Sequence, residues 1–368
     1  MSPRLLVAVS AHGLGHLGQV APVVNALRAR RPDLRLTFRT ALTRAQLAQR
    51  VDGPFEYQMC SDDFGMRNSS AFDVDVDASA AAYRELHERW PERVAAVVSE
   101  LSAIGPDLIL ADAPYLTCAA AGRAGIPVVA LCSLNWADIY RHYCGDRPEA
   151  PCIHAQMVEA YAGAKAFLQP TPSMAMDDLP NTVPIGLVAG RGERRREALE
   201  CSLGIGAREK LVLVAMGGIR TRLPLERWPT IDGVRWVVQA DWAVRRTDVL
   251  ILEELAPSFP DALACCDALI TKPGYGSFAE AAAAGVPVLY VPRGEWPESA
   301  CLVSWLRAHA RCAEISRAAL ESGQFAGVLR QLLEAGVYPP VPANGVDEAA
   351  EYLVGMLPVS TCSHKAMP

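Results

Sequence analysis

Short apolar runs alternate with longer alanine-rich or amphipathic stretches in the first half of the chain. The apolar runs are residues 5–9 (LLVAV), 34–38 (LRLTF), 108–111 (LILA) and 127–132 (PVVALC). Helical patterns such as VVNALRARR and YLTCAAAGRAG lie between them. Strands that are apolar throughout and separated by helices are typical of a parallel sheet covered on both faces. The pattern predicts a doubly wound α/β domain.

The same alternation returns after residue 210, with KLVLVAMGG (210–218) followed by VRWVVQA, DVLILE, ALIT and PVLYV. Residues 169–205 are rich in proline, glycine and charge, as expected of a linker. We therefore predict two Rossmann-like, doubly wound parallel-sheet domains that face each other across a cleft, residues 1–185 and 186–345. Residues 346–368 are expected to form a C-terminal helix, a candidate to pack back on the first domain, and a flexible tail.

Composition narrows the functional class. Of the 368 residues, 51% are hydrophobic and 21% charged, and the net charge of −6 comes from interleaved signs, which excludes a general nucleic-acid binder. No apolar run approaches the ~20 residues that cross a bilayer, and the N-terminus lacks a signal-peptide pattern. We expect a cytoplasmic protein. The 11 cysteines include no CxxC pair and are interpreted as mostly small buried residues.

The strongest motif is TKPGYGSFAEAAAAGVP (271–287), which has the order strand end, glycine-rich turn and helix. Ligands of open α/β sheets bind at the carboxyl ends of the strands, where such turns lie. Gly274 and Gly276 let the backbone approach a ligand, and Ser277 can cap the helix. The helix N-terminus and Lys272 both attract an anion. A phosphate group is the expected ligand.

Glu280 lies one turn into the same helix, where its carboxylate can accept hydrogen bonds from the vicinal diol of a ribose. The alternative is that Glu280 only complements the helix N-terminus. With Lys272 beside it, we favour a nucleoside diphosphate site. Gly217 and Gly218 form a second tight turn that can approach the same diphosphate, although such pairs also occur in plain turns. Neither loop fits a P-loop or a complete dinucleotide motif.

Three stretches together resemble the two-domain, GT-B type of nucleotide-sugar glycosyltransferase: HGLGH (12–16), LADAPYLTCAAAGRAGIPVV (110–129) and TKPGYGSFAEAAAAGVPVLYVP (271–292). AHGLGH, SLNWADIYRHY (133–143) and KPGYGSFAEAAAAGVP are also similar to the glycosyltransferase-like domain found alone in bacteria and ahead of a sugar kinase in plant L-arabinokinases. The resemblance extends from Leu5 to about Leu353.

The resemblance implies an inverting, metal-independent transfer of a sugar from a nucleoside diphosphate, with UDP favoured, to an unidentified acceptor hydroxyl. It makes His16 the general base and Asp112 the carboxylate that orients it, roles that suit imidazole and carboxylate chemistry. It assigns the ribose to Glu280 and the nucleobase to residues 252–267. The diphosphate residues it implies are Gly217, Gly218, Lys272, Gly274, Tyr275, Gly276 and Ser277. No cofactor or metal is expected.

The glycines around His16 are expected to make room for the acceptor. The alternative for His16 is a helix cap or a donor to a backbone carbonyl. Candidates for acceptor or sugar contact are His12, Asn135, Trp136, Glu295 and Glu298. Asn135 and Trp136 belong with Asp138, Tyr140 and Arg141 to a polar and aromatic cluster after a third strand, which either contacts acceptor or fills the core. The two glutamates either grip the donor sugar or are surface charges.

Two departures from the relatives leave other functions open. Relatives that hydrolyse nucleotide sugars carry GHxxR, whereas this chain has Gln19 at the last position. Natural-product transferases carry His-Cys-Gly-Trp where this chain has KPGY (272–275). A nucleotide-sugar hydrolase or epimerase on the same fold, or a non-catalytic nucleotide-sugar-binding protein, are therefore the alternatives.

Overall fold

The computed structural model describes residues 2–61, 63–218, 221–256, 258–335 and 338–358. In this part of the chain the strands form two sheets in which neighbouring strands are parallel. The strands of the first sheet are β1 (Arg4–Val9), β2 (Arg35–Thr40), β3 (Glu56–Met59), β4 (Leu108–Asp112), β5 (Val128–Leu131), β6 (Ala166–Pro170) and β7 (Thr182–Ile185). Those of the second are β8 (Lys210–Val214), β9 (Val234–Val238), β10 (Val249–Ile251), β11 (Ala268–Thr271), β12 (Val288–Tyr290) and β13 (Cys312–Glu314). The predicted fold class is confirmed.

Helices cover both faces of each sheet. The first domain contains α1 (Gly15–Arg30), α2 (Arg44–Ala48), α3 (Val76–Glu88), α4 (Trp90–Ile104), α5 (Tyr115–Ala124), α6 (Trp136–Cys144) and α7 (Ala150–Ala162). The rest of the chain contains α8 (Arg196–Leu203), α9 (Leu252–Leu255), α10 (Phe259–Ala264), α11 (Tyr275–Ala284), α12 (Ser299–His309), α13 (Arg317–Ser322), α14 (Ala326–Glu334) and α15 (Gly345–Met356). Within the described ranges, every helix is too short or too polar to cross a bilayer.

The central strands are buried on both faces, so their sequences are apolar except at some strand ends. Val7 of β1 packs in the core on one side of the first sheet, and Ala8 packs in the core on the other side. The strands that the apolar pattern missed include β3, β7 and β13, which lie at sheet edges and are partly exposed. The predicted linker 169–205 therefore contains β7, which ends at Ile185, and α8.

Each domain contributes buried side chains to the core of the other. Ala71 and Phe72, in the connection from β3 to α3, pack in the core of the second domain with Trp228. Trp296 of the second domain packs in a core of the first together with Trp136. The domains are thus joined by interlocked cores as well as by the linker.

Helix α15 returns to the first domain and packs along α1. Asp347 pairs with Arg30 of α1 at 2.7 Å, and the Gly345 N–H donates to the Leu187 carbonyl at 3.0 Å. Residues 359–368, which include the predicted flexible tail, lie outside the described residues.

Candidate active site

The strand order reverses once in each sheet, and the site lies at these two points. The first sheet has the order β3-β2-β1-β4-β5-β6-β7 and the second has the order β10-β9-β8-β11-β12-β13. Connections leave β1 and β4, and likewise β8 and β11, in opposite directions, which opens a crevice at their carboxyl ends. A cavity of about 360 Å³ lies where the two crevices face each other. The predicted residues that line it are His12, His16, Gly217, Gly218, Lys272, Gly274, Tyr275, Gly276, Ser277, Glu280 and Glu298.

The glycines of the first loop allow the two domains to touch. A Cβ on Gly218 would lie 2.8 Å from the Gly13 Cα, and a Cβ on Gly276 would lie 3.5 Å from the Gly15 Cα. Gly13 also has a φ of +88°, a conformation that favours glycine. Because Gly13, Gly15 and Gly18 also line the cavity, the interpretation that these glycines make room for an acceptor stays a prediction.

Two helix N-termini open toward the cavity. α1 begins after Leu14 and α11 after Gly274, and neither first turn has a side-chain cap or an acidic residue. The predicted cap, Ser277, does not act as one. Unpaired N–H groups and the helix dipole give each N-terminus a partial positive charge, so the cavity is suited to an anion.

Lys272 adds a full charge at the same place. Its side chain follows β11 and lies beside Gly217, and the residue is 8% exposed. Burial and the charge of nearby Arg293 lower the pKa of Lys272 to about 7, while Glu298 opposes this shift. An anion bound beside Lys272 would favour its charged ammonium form.

His16 and Asp112 form a buried pair on the first-domain side. His16 Nδ1 lies 2.9 Å from Asp112 Oδ1, and the side chains are 6% and 0% exposed. Burial alone would lower the pKa of His16, but the charge and hydrogen bond of Asp112 outweigh it and raise the pKa, with smaller support from Asp63 and Glu298. Because a carboxylate only accepts, Nδ1 carries the hydrogen and Nε2 is left to take a proton.

His12 is packed into an aromatic wall. Its ring stacks on Trp296 with centroids 5.7 Å apart and meets Trp136 edge-on at 5.2 Å. Burial, followed by the charges of His16, Arg293 and Lys272, lowers the pKa of His12 to about 3, so the ring is neutral. Its Nδ1 accepts the Met66 N–H at 3.4 Å.

Trp136 forms the buried side of this wall, and neither Trp136 nor the preceding Asn135 lines the cavity. Asn135 caps α6, since its Oδ1 accepts the Asp138 N–H at 2.8 Å. The fully buried Trp136 ring lies 5.6 Å from the His16 ring. Nearby, Asp138 pairs with Arg141 at 2.8 Å. The structure therefore gives this cluster a supporting position around His16.

Tyr140 and Tyr275 are also turned away from the open cavity. Tyr140 is fully buried among the core residues of the first domain. The Tyr275 hydroxyl accepts the Val188 N–H at 2.9 Å and donates to the Thr171 carbonyl at 3.2 Å. Tyr275 thereby ties α11 to the junction between the domains, and only part of the residue borders the cavity.

Glu280 is 2% exposed and is bound by an arginine that the sequence analysis did not select. Arg50 Nη1 lies 2.5 Å from Glu280 Oε1, and Nη2 lies 3.5 Å from Oε2. The Arg50 guanidinium also lies over the Phe259 ring at 5.6 Å. No local signal reveals this pair, because 230 residues separate its members.

The two predicted glutamates after β12 have different positions. Glu298 is 4% exposed and accepts hydrogen bonds from Ser133 Oγ at 2.6 Å and Trp296 Nε1 at 3.2 Å. Glu295 is exposed and lies outside the cavity. The structure thus brings Glu298 to the site and leaves Glu295 on the surface.

Among the residues that the structure describes, two groups of side chains have metal-ligand chemistry. The first is His16, Asp112 and Cys132, whose ligand atoms lie within 4.8 Å of one another. Burial raises the pKa of the Cys132 thiol well above its usual value, which disfavours the thiolate that binds metals. The second is Asp138, His154 and Asp178, where Arg141 forms ion pairs with both carboxylates.

The chain was compared with known proteins by sequence and by structure. No family model matches the chain. L-arabinokinase of Arabidopsis thaliana is 26% identical over 359 residues, which cover 94% of this chain and 33% of that protein. The chain thus spans about a third of the length of this curated relative.

Solved structures resemble the chain over nearly all of its length. UGT89C1 of Arabidopsis thaliana complexed with UDP has a TM-score of 0.60 at 15% identity, covering 96% of this chain and 99% of that one. The glycosyltransferase SnogD of Streptomyces nogalater has a TM-score of 0.56 at 19% identity, with 97% and 100% covered. The glycosyltransferase VinC in complex with dTDP has a TM-score of 0.53 at 17% identity, with 96% and 94% covered.

The chain has the GT-B fold.

In this GT-B chain the two halves of the cleft differ in chemistry. The second domain supplies Lys272, Glu298 and the α11 N-terminus, and the first supplies the His16–Asp112 pair. Sequence reasoning also missed Arg293, which lines the cavity three residues after β12. Its only sequence signal was its place in RGEWPES (293–299), where the two glutamates drew attention instead.

Proposed function

We propose that the chain is a glycosyltransferase that moves a sugar from a nucleoside diphosphate sugar, with UDP favoured, to an acceptor hydroxyl. Residues 1–185 are proposed to form the acceptor side, and residues 186–345 the nucleotide side. One observation carries the proposal: His16, which is paired with the buried Asp112, borders the same cavity as Lys272 and the uncapped α11 N-terminus. Such a cavity combines a base with an anion site.

The proposed reaction is a single displacement. His16 Nε2 removes the proton from the acceptor hydroxyl while the acceptor oxygen bonds the sugar's anomeric carbon. The bond from that carbon to the β-phosphate oxygen breaks, and the diphosphate leaves with the electron pair. Asp112 stabilises the imidazolium that forms, and Lys272 with the helix N-termini stabilises the leaving group in place of a metal. Attack opposite the leaving group inverts the anomeric configuration.

The ligands of the structural neighbours support a diphosphate donor. UGT89C1 is complexed with UDP and VinC with dTDP. In this chain Lys272 and the α11 N-terminus are proposed to hold the diphosphate. Glu280 is proposed to meet the ribose hydroxyls beside Arg50, and residues 252–267 to frame the base. Glu298 is a candidate contact for the donor sugar.

Hydrolysis is the second candidate, and the aromatic wall favours it. The His12 and Trp296 rings stack on each other and line the cavity with His16, which reduces the room for a bulky acceptor on that side. Water in the acceptor position converts the same displacement into nucleotide-sugar hydrolysis. Release of nucleotide and free sugar without an added acceptor would identify this activity.

A binding and turnover screen tests the proposed function. UDP-, dTDP- and GDP-sugars are compared by thermal shift, where a ligand at about 100 times its Kd adds about 2.7 kcal/mol of stability. Nucleotide release is then measured for each binder, with and without acceptor alcohols. His16→Ala is expected to retain nucleotide binding and lose release. Absence of a shift with every donor, or undiminished release by the variant, would refute the proposal.

A further inference from the structure

Arg293 is a buried cation that the proposed mechanism does not use. It follows β12, is 6% exposed, and lines the same cavity as Lys272 and Gly217. Its Cζ lies 3.8 Å from the centre of the Trp296 ring, so the guanidinium plane is supported by an aromatic face. The side chain is therefore held in place before any ligand arrives.

One edge of this guanidinium has no partner. Nε and Nη2 of Arg293 are both buried, and neither forms a hydrogen bond within the described part of the chain. These two nitrogens direct parallel N–H groups along the same edge, the geometry that binds two oxygens of one carboxylate or phosphate. Stacking on Trp296 leaves this edge unused.

Burial makes it unfavourable for the Nε and Nη2 edge of Arg293 to remain without a hydrogen-bond partner. Buried polar groups normally have hydrogen-bond partners, and a buried charge without one is strongly destabilising. Burial lowers the pKa of Arg293 to about 10, and Arg293 in turn helps to lower that of Lys272. The nearby Glu298 carboxylate already accepts from Ser133 and Trp296. One carboxylate that is engaged elsewhere does not neutralise two buried positive charges.

The cleft is the side on which that anion is expected. Arg293 also borders a shallow groove on the outer surface, lined in part by Arg307. However, the groups whose pKa values respond to the charge of Arg293 include His12 and Lys272, which both line the cleft. The α11 N-terminus faces the same space.

We propose that Arg293 binds an oxyanion at the sugar end of the donor, side-on through Nε and Nη2, and acts with Lys272 as a two-cation receptor. This inference rests on the proposed function. Two groups of a nucleotide sugar have the required pair of oxygens: the β-phosphate, and the carboxylate of a uronic acid sugar. The receptor excludes neither, and binding measurements separate them.

The experiment compares the wild type with Arg293→Gln by titration calorimetry, using UMP, UDP, UDP-glucose and UDP-glucuronate. Contact with the β-phosphate weakens UDP and both UDP-sugars at least about tenfold and leaves UMP unchanged. Contact with the carboxylate weakens UDP-glucuronate alone. Arg293→Lys retains the charge without the two-pronged edge and is expected to give an intermediate loss. Arg84→Gln, which removes an exposed arginine far from the cleft, is the matched control.

Other outcomes overturn the inference. Unchanged affinities for all four ligands, or a loss for UMP equal to that for UDP, would remove Arg293 from the sugar end. A wild type that binds none of the ligands overturns the proposed function first, and this inference with it. Wild-type binding that the Arg293 variants leave intact overturns only the role of Arg293.

Stability without ligand provides a second readout. Arg293→Gln removes an unpartnered buried charge, so its ligand-free melting temperature is expected to equal or exceed that of the wild type. A residue with a structural role only would show the opposite, a lower melting temperature. Loss of binding together with a large drop in ligand-free melting temperature would contradict the receptor role.

Discussion

Replacing Asp112 with Asn tests the base assignment most directly. The substitution keeps the size of the side chain and removes the charge that faces His16 Nδ1 across 2.9 Å. The asparagine amide can also donate to Nδ1, which would favour the tautomer with the hydrogen on Nε2, where the acceptor's proton has to go. We therefore expect slower turnover with little change in nucleotide binding, because Asp112 does not line the cavity.

The distance between His16 and Asp112 sets the size of the expected decrease in kcat. Two unit charges 2.9 Å apart attract by about 6 kcal/mol at the effective dielectric constant of about 20 that suits protein sites. The net contribution of a charge-assisted hydrogen bond is smaller, about 1.5–3 kcal/mol, because water competes for both groups. A loss between these limits, about 1.5–6 kcal/mol from the transition state, corresponds to a decrease in kcat of about 10- to 10⁴-fold.

The pH profile of kcat/KM tests the direction in which the pKa of His16 changes. Asp112 raises the pKa of His16, so the wild type loses its neutral base as the pH falls through that raised value. In Asp112→Asn, burial dominates and the pKa of His16 falls, which moves the acid limb of kcat/KM to lower pH. Nucleotide release measured from about pH 5 to 9 checks this. A decrease in kcat below threefold, or an acid limb that stays in place, would refute the reasoning.

Stability measurements check the same pair without substrate. A raised pKa in the folded state means that protonated His16 stabilises the fold fully below its unfolded pKa of about 6.5, and that this contribution is lost as the pH rises through the folded value. Asp112→Asn is therefore expected to lower the urea midpoint more at about pH 5.5 than at about pH 8.5. An equal decrease at both values would contradict the linkage.

Two further predictions concern the cavity and its wall. Because the pKa of Lys272 is lowered to about 7, we expect the affinity for UDP to weaken from about pH 6.5 to 8.5 and UDP binding to take up a proton. Calorimetry in buffers of different ionisation enthalpy measures both effects. An affinity that does not change with pH would contradict this expectation. Gly65→Ala is expected to lower both melting temperature and turnover, because φ is +60° and the new Cβ would lie 2.6 Å from Trp136 and 2.7 Å from His12. Unchanged thermal melting would show that the wall accommodates the methyl group.

Much of the fold could be predicted because central parallel strands are buried on both faces. Runs such as LLVAV and LILA are therefore apolar at every position, and the two blocks were visible without tertiary information. Edge strands lack that signal, and β3 (EYQM) shows why: one side is exposed and its residues are mixed. The order of strand end, turn and helix in residues 271–287 was also visible from the local sequence.

The sequence by itself determined the two α/β blocks, the loops that carry chemistry, and the residue types suited to a base and an anion site. Only the tertiary structure decided which side chains meet. β1 lies beside β4, so Asp112 reaches His16 across 96 residues, and domain closure brings Arg50 to Glu280 across 230. Among the described residues, it also left the Nε and Nη2 edge of Arg293 without a partner. Periodicity along a chain reports how each element is buried, whereas the partner of a buried charge depends on strand order and domain contact, which no local pattern encodes.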